Sequence, residues 1–112
     1  MNAITEKELV VLHAITVSDF YENGRESIVW DFSVLDDLPL KGKTRSGVIG
    51  SLANKGFIWV TEKEKRYKIN EYGQKVRNPY YSPNDYGTFQ ITEAGYAVLD
   101  SMGLIDEDGR FI

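Results

Sequence analysis

Ten cationic side chains fall between Lys41 and Arg77: Lys41, Lys43, Arg45, Lys55, Lys63, Lys65, Arg66, Lys68, Lys75 and Arg77. Only Glu62, Glu64 and Glu71 lie among them, so this third of the chain carries a net +7. The rest holds three basic and fourteen acidic residues, a net −11, and the whole chain is at −4. Overall acidity speaks against a polyanionic partner. Clustered ammonium and guanidinium groups speak for one, because they neutralise phosphates and release counterions. A solvated basic loop shows the same run of charge. Here the run coincides with a short helix and the long segment after it, which favours the ligand reading.

Other reactive groups are sparse. His13 is the single histidine, and its apolar surroundings suit a core or interface position better than a base or ligand. Asp36 and Asp37 are adjacent, so on a short helix they point in different directions and read as a solvated pair. No nucleophile–base pair, metal-ligand spacing or phosphate-cradling glycine loop is visible, so neither catalysis nor a cofactor or metal is expected. There is no cysteine, hence no disulfide and no thiolate site, with the cytoplasm as the default setting. Met1 to Glu6 lacks the basic start and apolar core of a leader, and no apolar run approaches a membrane span. A length of 112 residues fits one domain, 1–112.

The elements that must position the cations follow from the pattern. Thr5-Glu6-Lys7-Glu8 is a capping box opening a helix that should run to Phe20 or Tyr21. Its Leu9, Val10, Val11, Leu12, Ala14, Ile15 and Val17 are apolar on most sides, which suits a central helix or one shared with a second chain. Glu22-Asn23-Gly24-Arg25 is a turn. Ser27 to Trp30 suits a short strand, and Phe32 to Leu38 a short helix stopped by Pro39. Leu40 to Lys43 is the next turn. A helix over 44–55 follows, with Thr44 as its cap and Val48, Ile49, Leu52 and Ala53 as its apolar face. Gly47, Gly50, Ser51 and Asn54 occupy the other side, and Gly56 ends the helix. Phe57 to Thr61 is a strand.

Residues 62–87 hold Tyr67, Tyr72, Tyr80 and Tyr81, two prolines and six of the clustered cations. Arg66 to Ile69 can extend a strand, and the remainder reads as a long loop of the functional kind. Gly87 to Ile91 is the returning strand. Thr92 caps a last helix with Ala94, Ala97, Val98 and Met102 on its inner face, ended by Gly103. The acidic tail, 104–112, is expected to be mobile.

Two phrases resemble winged helix-turn-helix proteins of the MarR-like kind. Ser51-Leu52-Ala53-Asn54-Lys55-Gly56-Phe57-Ile58 is similar to the end of their recognition helix, and Ile91-Thr92-Glu93-Ala94-Gly95 to the Leu-Thr-x-x-Gly entry into their final helix. The resemblance implies an α+β winged helix-turn-helix: a three-helix core, a small antiparallel sheet, a long wing over about 62–87 and a C-terminal helix. It further implies that the helix over 44–55 enters the major groove of double-stranded DNA. The facing residues are then Lys41, Lys43, Thr44, Arg45, Ser46, Gly47, Ser51, Asn54 and Lys55. Arg45 can pair with guanine and Asn54 with adenine. Arg45 departs from the family by falling near the apolar face, from which its head can snorkel to a phosphate. Lys63, Lys65, Arg66, Lys68, Lys75 and Arg77 in the wing are implied as phosphate contacts. Tyrosines among such cations stack on unpaired bases or anchor a protein interface; the Pro-rich context favours packing or interface for Tyr80, Tyr81 and Tyr86. The function expected is a small transcriptional regulator acting as a homodimer. A protein-interaction module working through the Tyr-rich wing is the alternative, and RNA binding a lesser one.

Overall fold

The computed structural model describes residues 4–62, 64–82 and 86–112. Its first element opens where the capping box places it. The Glu8 amide donates to Thr5 Oγ1 at 3.2 Å, and the Thr5 amide donates back to Glu8 Oε1 at 2.8 Å. The resulting helix, α1 (Glu6–Thr16), stops several residues short of Phe20. At its end the Thr16 hydroxyl donates to the His13 carbonyl at 2.8 Å, a local bond that competes with further helix. The chain then turns so that Tyr21 enters the core. His13 is exposed and meets the edge of Phe111, which excludes the core half of the core-or-interface expectation.

A 3-10 turn (Gly24–Glu26), β1 (Val29–Trp30) and α2 (Asp31–Leu35) come next. The helix α3 (Gly42–Asn54) begins two residues before Thr44. Extended Lys41 is its N-cap and supplies no side-chain bond, so Thr44 lies inside the first turn instead of capping it. β2 (Ile58–Thr61), β3 (Tyr67–Ile69), β4 (Lys75–Arg77), β5 (Thr88–Ile91) and α4 (Glu93–Ser101) complete the order.

Among the described residues the strands form two antiparallel sheets, β1-β5-β2 and β3-β4. In the first, Val29 and Val60 flank Phe89, and Ile58 faces Ile91. Val29, Phe89, Ile58 and Ile91 are buried against Leu12, Ile15, Val34, Leu52 and Leu99. The architecture is α+β, with four α-helices around this small sheet. The long loop expected after Thr61 is instead largely a second hairpin, β3-β4.

The two phrases singled out in the sequence meet at one joint. Gly56, at φ +78, and Phe57 donate back to Ala53 and Leu52, closing α3 with a Schellman motif. Thr92 then donates its amide to the Phe57 carbonyl at 3.0 Å and its hydroxyl to the Gly56 carbonyl at 2.5 Å. The same Thr92 oxygen caps α4 by accepting from the Gly95 amide at 3.1 Å. Gly95 has no room for a side chain, since a β-carbon there would collide with the Phe57 carbonyl and with Ile91 Cγ2. The buried side of α4 is therefore Gly95, Tyr96 and Leu99; Ala94, Ala97 and Met102, expected inside, are exposed.

The C-terminal residues are held, not mobile. Asp106 to Arg110 form a tight turn flanked by a bridge between Ile105 and Phe111. The Tyr21 hydroxyl donates to the Gly109 carbonyl at 3.0 Å and meets the Tyr96 hydroxyl at 2.8 Å. Arg25 donates to the Asp106 and Glu107 carbonyls and pairs with Asp100 at 2.6 Å. A positive φ of 76° and the Tyr21 hydroxyl, which would collide with a β-carbon, explain the glycine at 109.

The joint makes a direct prediction. Gly95→Ala should cost about 1–3 kcal/mol through overpacking, whereas exposed Ala97→Ser should stay within about 0.5 kcal/mol of the parent. Urea unfolding followed by circular dichroism checks both; equal midpoints for the two variants would contradict the packing.

Candidate nucleic-acid interface

The clustered cations occupy two elements. Lys41, Lys43, Thr44, Ser46 and Gly47 are exposed along the first half of α3, and Arg45 is half-buried. Asn54 is exposed at its far end. The apolar stripe holds as expected, with Leu52 buried and Val48, Ile49 and Ala53 packed against the core. Glycines at 47 and 50 suit either close packing inside the protein or close approach of the helix backbone to another surface. A β-carbon at either would meet nothing within 4 Å. Their bareness thus serves no internal contact, although each glycine costs the helix roughly 1 kcal/mol relative to alanine.

Ser51 and Lys55 are directed elsewhere. The Ser51 hydroxyl donates to Glu8 Oε2 at 2.9 Å and Lys55 Nζ to Glu8 Oε1 at 2.7 Å. Glu8 is only 2% exposed, so this ion pair joins α1 to α3 away from bulk water. Burial pushes the Glu8 carboxyl up. The bonds from Lys55, Thr5 and Ser51 outweigh that and hold it below its ordinary value of 4.5. The outward side of α3 is consequently narrower than the sequence suggested: it runs from Lys41 to Gly50, with Asn54 beyond.

Lys65, Arg66, Lys68, Lys75 and Arg77 are exposed on the β3-β4 hairpin, and Lys63 lies outside the described residues. The pairing sets Tyr67 opposite Arg77, Lys68 opposite Val76 and Ile69 opposite Lys75. A two-stranded hairpin is marginal by itself, and two asparagines brace this one. Asn70 Oδ1 accepts from the Tyr72 and Gln74 amides in the turn, where Gly73 has φ +77. At the base, buried Asn78 donates to Glu64 Oε2 and to the Lys65 carbonyl, at 2.7 and 2.9 Å. Cations lie over tyrosine rings throughout: Lys75 over Tyr67 at 5.1 Å, Arg66 over Tyr81 at 5.4 Å and Lys68 over Tyr80 at 5.8 Å.

Sequence reasoning missed the hairpin, Asn78 and the Glu8 tie. Asn70 to Gly73 between two basic, partly β-branched runs was the available hairpin signal. Among the described residues the ion pairs are Lys55–Glu8 and Arg25–Asp100, so the cations of the hairpin and of the first half of α3 are not neutralised by carboxylates. Asp36 and Asp37 are exposed. Tyr86 is exposed and meets the edges of Phe32 at 4.8 Å and Trp30 at 6.5 Å, while Phe20 edges Phe32 at 5.9 Å. A shallow groove of about 800 Å³ lies elsewhere, along α4, lined by Arg25, Trp59, Thr92, Tyr96 and Asp100. Its Arg25 and Asp100 satisfy each other. Among the described residues no cluster of histidine and carboxylates could hold a metal, and no helix is long and apolar enough to cross a membrane.

Comparison with known protein families, with curated proteins and with solved structures finds no match to this chain.

The Glu8 tie predicts an acid limb of stability. A carboxyl held below its ordinary value stabilises the fold above pH 4.5, and that contribution fades as pH falls through the lowered folded value. Glu8→Gln should cost about 2–4 kcal/mol at pH 7, since it removes the buried carboxylate charge that Lys55 pairs with across α1 and α3, and should flatten this limb. Urea midpoints from pH 7 to pH 3 check it; parallel curves for parent and variant would refute the tie.

Proposed function

We propose that the protein is a winged-helix nucleic-acid-binding protein that grips double-stranded DNA, most simply as a small transcriptional regulator. One observation carries the reading. Among the described residues most of the cations without a carboxylate partner gather on the first half of α3 and on a separate basic hairpin, and α3 is bare backbone at Gly47 and Gly50. In this reading α3 approaches the major groove, with Lys41, Lys43, Thr44, Arg45 and Ser46 at its leading end. The hairpin is the wing, and Lys65, Arg66, Lys68, Lys75 and Arg77 sit on phosphates. Few side chains on α3 can read base edges, so backbone and shape contribute much of the recognition.

The element order also supports the reading: a helix, a short strand, two helices, a strand, a basic hairpin, a returning strand and a capped helix. We include self-association in it. The apolar surface of α1 is consumed largely within the chain, so the dimer contact falls on the exposed aromatic edge of Phe20, Phe32 and Tyr86. A protein partner is the second reading, favoured by that same edge and by the net charge of −4.

Fluorescence anisotropy with mixed-sequence duplex DNA tests the leading reading. Affinity should fall steeply with salt, by nearly one log–log unit per phosphate neutralised. Lys43→Ala with Arg77→Ala should weaken all duplexes alike and lower that slope by about two. Absence of salt-sensitive binding would sink the proposal. For self-association, light scattering should show a dimer that Phe32→Ser disperses; a monomer at every concentration contradicts it.

A further inference from the structure

We propose that the β3-β4 hairpin binds unpaired nucleotides, with Tyr67 and Tyr72 as stacking platforms beside phosphate-binding Lys75 and Arg77. This rests on the nucleic-acid reading and goes beyond its duplex. Phosphate neutralisation alone needs cations, not rings. Yet Tyr67 and Tyr72 are 49% and 79% exposed on this one arm. In a duplex the flat faces of the bases are stacked on one another and offer such rings nothing. An unpaired strand presents one such face per nucleotide, and sequence matters little to that contact.

The geometry suits a platform. Lys75 lies 5.1 Å from the centroid of Tyr67, which is half-exposed. The cation covers one face of the ring and puts positive charge next to where a base stacked there carries its phosphate. The register puts Tyr67, Ile69, Lys75 and Arg77 on one side of the hairpin, alternating ring or alkyl surface with charge. Tyr72 stands at the tip, its amide held by Asn70 Oδ1 at 3.0 Å. The arm pairs with neither edge of the main sheet, and its strand residues are exposed apart from half-buried Val76. A protein partner would meet the same surface with its own carboxylates, and base dependence separates that case.

The test compares a blunt duplex with the same duplex bearing a single-stranded tail of about eight nucleotides, as DNA and as RNA, by anisotropy on the full chain. The tailed forms should bind at least about tenfold tighter, since each stacked base contributes that order. Whichever tail gives the larger gain identifies the natural strand. Tyr67→Ala with Tyr72→Ala should erase the gain while leaving blunt-duplex affinity and salt dependence unchanged, and the matching Phe changes should restore it. Equal affinity for tailed and blunt duplexes overturns this inference and leaves the duplex reading standing. A gain that survives the Ala changes also overturns it. No binding to any of the probes overturns both. A tail of abasic sites separates charge from stacking: it should bind like the blunt duplex, and tight binding of it would again overturn the assignment.

Discussion

A carboxylate almost without access to water governs the arrangement of this protein. Glu8 closes the capping box of α1 and simultaneously accepts from Ser51 and Lys55 of α3. Buried pairs of this kind add little net stability over an apolar alternative, because desolvation consumes most of the attraction. Their consequence is registration. With Ser51 and Lys55 drawn toward α1, Leu52 is set in the core and the helix is fixed in rotation. Gly47, Lys41 and Lys43 are then left exposed, with Arg45 half-buried beside the apolar stripe. The position of the whole candidate interface therefore follows from a residue forty positions upstream.

The second constraint is the joint at Phe57. One carbonyl accepts from Thr92 and simultaneously excludes any side chain at position 95. It sets where α3 ends, where β2 begins and where α4 starts. This joint and the Glu8 tie are structural. Neither touches the surface proposed to bind nucleic acid. That separation accounts for the outward side of α3 carrying small residues at no evident benefit to packing.

Much of the frame was legible because its signals are local. Thr5 with Glu8, Gly56, Thr92 and Gly103 mark helix ends through bonds within a few residues of themselves, and the structure has them there. What escaped depends on distance along the chain. The fate of Ser51 and Lys55 is decided by Glu8, and the C-terminal turn is held by Tyr21 and Arg25 from the opposite end. The inner face of α4 was misassigned because Tyr96 was not weighed as a core residue, although its hydroxyl finds Tyr21. In the hairpin, β-propensity was masked by charge. Its exposed strands show no apolar alternation, and its stability comes from Asn70 and Asn78. The exposed positions of α3 were readable from spacing, but a helix of Gly and Ser says little about what it meets.

The central claim is that α3 and the β3-β4 hairpin form one binding face while α4 and its groove stay outside it. Amide shift mapping of the labelled protein with a short DNA duplex tests it most directly. The account predicts changes concentrated from Lys41 to Gly50 and from Lys65 to Arg77, with Thr92 to Ser101 and the turn at Asp106 to Arg110 silent. Shifts confined to α4 and the groove beside Trp59, or none at saturating DNA, would contradict it.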